Sequence, residues 1–155
     1  MDINFSRSLI KGKITETIFE EMFRVSGKFT ILPLGYEHTT PILAQYNRLL
    51  HVQRVLENIR NAPDFALVSD DKASVYLVEV KYRSQFDKDD ILEIAEKIHS
   101  SWDTCFLFLA SQNGFYYGSV KDIINRGGEI NELPEIRINK EIQEQYLSLL
   151  SEFIK

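Results

Sequence analysis

The feature that most narrows the fold is a continuous apolar run over residues 104–110, centred on Phe106, Leu107, Phe108 and Leu109. A strand with no polar alternation is buried on both faces, so it needs helices packed against its sheet. The rest of the chain supplies them. Over residues 13–25, Ile14, Ile18, Phe19, Met22 and Phe23 recur at helical spacing, and Ser26-Gly27 stops the run. Residues 29–34 read as a strand that Pro33 confines to an edge or ends. A helix is expected over residues 41–59, with Thr40 as cap and Pro41 in its first turn. Another spans residues 88–101, opened by Asp87, Asp89 and Asp90, where acidic side chains suit the helix dipole. A strand over 115–120, a short helix over 121–125 broken by Gly127-Gly128, and a last helix over 140–154 complete the pattern. Strand, helix and strand from residue 75 to 110 read as a right-handed parallel crossover. The expectation is a mixed α/β fold, with a central sheet flanked by helices.

The 155 residues fit one domain, covering 1–155, and contain neither a repeat nor a Gly/Ser linker. The lone Cys105 lies beside the apolar run, so it reads as a buried, inert thiol, and no intrachain disulfide can form. With no secretory signal and no membrane-length apolar segment, a reducing cytoplasm is the expected setting and no membrane partner is expected. The net charge of -5 weighs mildly against nucleic acid. It is unevenly spread, however, and acidic metal ligands would contribute to the count.

Ahead of that buried strand lie two shorter apolar segments. One, Phe65-Ala66-Leu67-Val68, follows Pro63-Asp64; the other leads into Glu79-Val80-Lys81. Turn formers at Ser69-Asp70-Asp71-Lys72 join them, which predicts an antiparallel hairpin. The start of one strand then lies beside the end of the other, bringing Asp64 to Glu79. Strand alternation puts Val75, Leu77, Glu79 and Lys81 on one face, with Val80 packing behind. Taken singly, Asp64 is a turn residue after proline, and Glu79 and Lys81 belong to a solvated strand face. Taken together they differ. Val75 and Leu77 imply burial of that face, and a buried glutamate needs a partner or a metal. Lys81 alone would leave Asp64 uncompensated. A divalent cation resolves the arrangement better, and oxygen ligands point to Mg²⁺ or Mn²⁺.

On Pro63-Asp64, Glu79-Val80-Lys81 and a helical glutamate flanked by Gly12 and Gly27, the chain resembles the PD-(D/E)XK nuclease superfamily, in particular its Holliday-junction-resolvase-like members. The resemblance covers about residues 10–110. It implies a restriction-endonuclease-like α/β core and a Mg²⁺- or Mn²⁺-dependent nuclease acting on nucleic acid, most readily DNA. It also implies roles: Asp64, Glu79 and the Val80 carbonyl as metal ligands, Lys81 near the attacking water and scissile phosphate, and Glu16 binding a second metal or orienting its water. A homodimer is plausible by analogy only. Glu20, one turn beyond Glu16, is the rival for the helical role; Glu16 is preferred because it borders the Phe19/Phe23 edge of the apolar face.

One departure stands out. The helix after the Glu79-Val80-Lys81 strand offers Glu93, Glu96, Lys97, His99 and Trp102, with no Gln, where many family members carry Gln or a second Lys. Lys97 could approach the site, although an exposed position suits it better. Arg48, His51, Arg54, Arg60 and Tyr82-Arg83 could contact phosphates, with a solvated face as the more ordinary explanation. His38, His51 and His99 have no metal-ligand spacing. Two other readings stay open: a non-catalytic nucleic-acid- or protein-binding module on the same fold, and a metal-independent interaction domain.

Overall fold

A computed structural model describes residues 2–34 and 62–154. The helix expected over 41–59, with Arg48, His51 and Arg54 on it and His38 and Arg60 beside it, lies outside the described residues. The described elements are α1 (Ile3–Ser26), β1 (Phe29–Pro33), β2 (Phe65–Ser69), β3 (Val75–Tyr82), α2 (Lys88–Ser101), β4 (Phe106–Ala110), β5 (Phe115–Ser119), α3 (Val120–Asn125) and α4 (Lys140–Phe153).

The strands form one mixed sheet in the order β1-β2-β3-β4-β5. β3 and β4 are parallel, with α2 between them in the chain, and the other pairs are antiparallel. β4 explains the uninterrupted apolar run. Its Phe108 and Ala110 enter one core with Phe19, Phe23, Val78, Val80 and Leu150, beneath α1 and α4. Its Leu107 and Leu109 enter a second core with Ile91, Ala95, Ile98, Cys105 and Ile123, beneath α2 and α3. Helices therefore cover both faces, and the coarse α/β expectation holds.

Two local expectations need correction. α1 starts at Ile3, ten residues before the start read from periodicity. The Asp2 side chain caps it by accepting from the Asn4 N–H at 3.0 Å. Its first turns are almost entirely exposed, so no buried stripe marks them. Val75, expected to be buried, is 59% exposed at the turn end of the hairpin, and only Leu77 packs against the second core.

The two glycines after α3 set the approach of α2. The Gly127 N–H donates to the Ile124 carbonyl at 3.1 Å and the Gly128 N–H to the Ile123 carbonyl at 2.8 Å, which is a Schellman closure. Gly128 has φ +99°, and a Cβ there would lie 2.0 Å from the Lys88 carbonyl oxygen. Gly128→Ala is expected to lower stability by about 3 kcal/mol or more, because strain and a displaced α2 start add together. Urea unfolding followed by circular dichroism measures it.

Candidate functional site

The site forms where the β2–β3 ladder stops. Phe65 opposes Val78, so the next step of the register sets Asp64 beside Glu79. Pro63 has no N–H to continue the ladder. The Asp64 side chain takes over, its Oδ2 accepting from the Val80 N–H at 2.8 Å. The Asp64 carbonyl turns to β1, accepting from the Leu34 N–H at 2.8 Å. In a strand, a residue's N–H and C=O project to the same edge. The Val80 carbonyl is therefore directed to the Asp64 side, where β2 has ended.

Around this gap lies a cavity of about 440 Å³ whose lining includes Asp64, Glu79, Val80, Lys81 and, from α1, Glu16. Glu79 and Lys81 share one face of β3, and Lys81 Nζ is 3.8 Å from Glu79 Oε1. Their side chains are 14% and 39% exposed, respectively, so the carboxylate is the deeper group. Val80 packs on the opposite face, in the core beneath α1.

Burial pushes the Glu79 carboxyl up to about 9, helped by the Asp64 charge and a hydrogen bond with the Asp64 carboxylate. Lys81 pulls the other way, and Glu16 adds a smaller upward push. The ion-pair distance to Lys81 alone would suggest an ionised Glu79, but the depth of the group and its acidic neighbour outweigh one half-exposed ammonium. Near neutral pH, Glu79 therefore keeps a proton against Asp64.

A divalent cation could take that proton's place between the carboxylates. The donors are oxygens: Asp64, Glu79 and the nearby Val80 carbonyl. This set fits Mg²⁺ or Mn²⁺, with waters completing the shell. Among the described residues, no three His, Cys, Asp or Glu side chains form a group able to hold a metal by themselves. Glu16 lines the same cavity from α1. The neighbouring thiol takes no part, because burial, reinforced by the Glu79 charge, pushes Cys105 up to about 12.

The rival glutamate is engaged elsewhere: Glu20 pairs with Arg24 at 2.7 Å and does not line the cavity. Lys97 is exposed on α2 and is also absent from the lining. Tyr82 and Arg83 do line it. So do Ser8, Lys11 and Ser84, which the sequence reading did not single out. Ser8 and Lys11 precede the expected start of α1, and their only available signal was an Asp2 cap twelve residues upstream of Ile14, where the apolar stripe begins. Lys11, Lys81 and Arg83 give the cavity a cationic rim around its carboxylates, despite the negative net charge.

The chain matches no family model, no curated protein and no solved structure.

Proposed function

We propose that the chain is a Mg²⁺- or Mn²⁺-dependent nuclease that hydrolyses phosphodiester bonds, with DNA as the favoured substrate, on a restriction-endonuclease-like core. The observation that carries this reading is the juxtaposition of the Asp64 and Glu79 carboxyls at the end of a ladder, with Lys81 3.8 Å from that glutamate. A half-buried acidic pair of this kind is a poor structural device, because it opposes its own ionisation. It becomes favourable once a cation binds.

Asp64, Glu79 and the Val80 carbonyl would hold the metal, which when bound supplies a polarised water and stabilises charge on the phosphate. Lys81 would keep its ammonium beside the attacking water and the non-bridging oxygens, favouring hydroxide and offsetting the charge that develops. Glu16 would accept a hydrogen bond from a water at the rim and orient it. Lys11 and Arg83 would steady the flanking phosphates without reading bases.

A non-catalytic binding module is the second reading, favoured by the net charge of -5. One experiment separates the two: incubation with linear, branched and single-stranded DNA and RNA, with Mn²⁺, with Mg²⁺ and with chelator. The nuclease reading expects metal-dependent cutting of at least one substrate. Absence of both cutting and Mn²⁺ binding would leave the module.

A further inference from the structure

Gly12 and Glu16 of α1 line the cavity, and two turns closer to its N-terminus the same line of the helix carries Phe5 and Leu9. Phe5 stands about 10 Å along the axis from Gly12, and Leu9 about 10 Å from Glu16, each pair offset by only about 20°. Between them, Ser8 and Lys11 also line the cavity. Phe5 is 59% exposed and Leu9 is 54% exposed. The cavity wall therefore runs on into an apolar ledge that stays in solvent.

Two further observations indicate what the ledge meets. Residues 3–13 carry Arg7, Lys11 and Lys13 and no acid, in a chain whose net charge is -5. The first turn of α1 holds no acidic residue to offset the positive end of the helix. This half-helix is thus an electropositive approach to a cavity that holds carboxylates. The other observation is Gly12. Glycine weakens a helix interior relative to alanine, and the fold makes no demand for it here. Its φ is not positive, and a Cβ would meet nothing within 4 Å. The open space beside it lies in the cavity wall, where a ligand can pass close to the helix backbone.

Cations leading to a phosphate site, followed by a bare aromatic ring, suit a single strand of nucleic acid. Its phosphates take the cations, and its unpaired bases have free faces to stack on the ring. A duplex keeps its bases stacked on one another and turns its backbone outward, which would set Phe5 and Leu9 against charged phosphates. A protein partner could cover the ledge, but it has no use for the gap at Gly12 that joins the ledge to the carboxylates.

We propose that the nucleic acid bound here is unpaired: a single-stranded segment whose bases stack on Phe5 and pack on Leu9, while Lys11 holds the phosphate between ledge and cavity. The cleavage of that strand rests on the nuclease reading, whereas its unpaired state rests on α1.

Fluorescence anisotropy in EDTA tests this without cleavage, using a labelled single strand of about 16 nucleotides and the matching duplex. Circular dichroism confirms that each variant is folded. The wild-type chain should bind the single strand at least about tenfold more tightly than the duplex. Phe5→Ala should weaken single-strand binding about tenfold and duplex binding by less than about twofold, and Phe5→Trp should keep the wild-type affinity. Lys11→Ala should weaken both probes alike. Binding to neither probe, equal affinity for the two, or a Phe5→Ala chain that holds the single strand like wild type would overturn the proposal, whether or not the chain cuts DNA with Mn²⁺. A single-strand preference that depends on Phe5, with no metal-dependent cutting of any substrate, would instead uphold the ledge and overturn the nuclease reading.

Discussion

Lys81→Ala is expected to lower the metal-dependent cleavage rate by about 10²–10³-fold, the loss typical of removing one preorganised charge from a transition state. Mn²⁺ affinity should stay within about threefold of wild type. The reasoning is positional. Lys81 lies 3.8 Å from Glu79 and is the more exposed of the two, so its ammonium faces the cavity without donating an oxygen to the metal. Removing a neighbouring positive charge should, if anything, ease cation binding. Asp64→Ala must behave differently. It deletes one carboxylate of the proposed metal site and also strands the Val80 N–H, whose acceptor is Asp64 Oδ2. Both metal binding and cleavage should disappear, with a stability loss of about 1–3 kcal/mol from the unpaired N–H. Titration calorimetry with Mn²⁺ and cleavage rates on one oligonucleotide give the contrast. A Lys81→Ala protein that cuts at the wild-type rate would reduce Lys81 to a counter-ion of Glu79. Cleavage surviving Asp64→Ala would point to a contaminating nuclease or to a different site.

The legible parts of this chain are those in which one period dictates a face. Alternation over residues 75–82 placed Glu79 and Lys81 together with Val80 behind them, and the short Ser69-to-Lys72 turn fixed which residue faces Glu79. The buried β4 strand was readable because both its faces are covered, so no polar position interrupts it. A helical wheel separated Glu16 from Glu20, since a residue bordering the buried stripe can reach the sheet edge while one turned outward finds Arg24. Illegible parts lack a buried face. The first turns of α1 carry Ile3, Phe5, Leu9 and Ile10 towards solvent, and their apolar pattern follows no core. Lys11 and Ser8 were lost with them. Val75 shows the opposite failure: alternation gave its face correctly but not its depth, because the hairpin end extends beyond the helix that covers Leu77.

Glu79→Gln should stabilise the metal-free protein as pH rises, while abolishing its response to metal. Folding lifts the Glu79 carboxyl from 4.5 to about 9. Between those values the folded chain holds a proton that the unfolded chain has released, so stability falls with increasing pH over that window. By pH 7.5 the loss reaches at most about 4 kcal/mol, reckoned at 1.36 kcal/mol per pH unit above the unfolded value. Gln keeps the shape and the hydrogen bond to Asp64 but cannot ionise. The melting temperatures of variant and wild type should therefore be close near pH 4.5 and should separate in favour of the variant towards pH 8. Mg²⁺ should restore the wild-type chain at pH 8, since binding to the folded state alone adds stability by mass action. It should do much less for Glu79→Gln, which lacks one carboxylate of the pair. A wild-type chain that instead grows more stable from pH 5 to pH 8 by way of Glu79 would mean that this carboxyl is ionised against Lys81. The two acids would then be an ordinary structural contact, and the cation pocket would lose its main physical support.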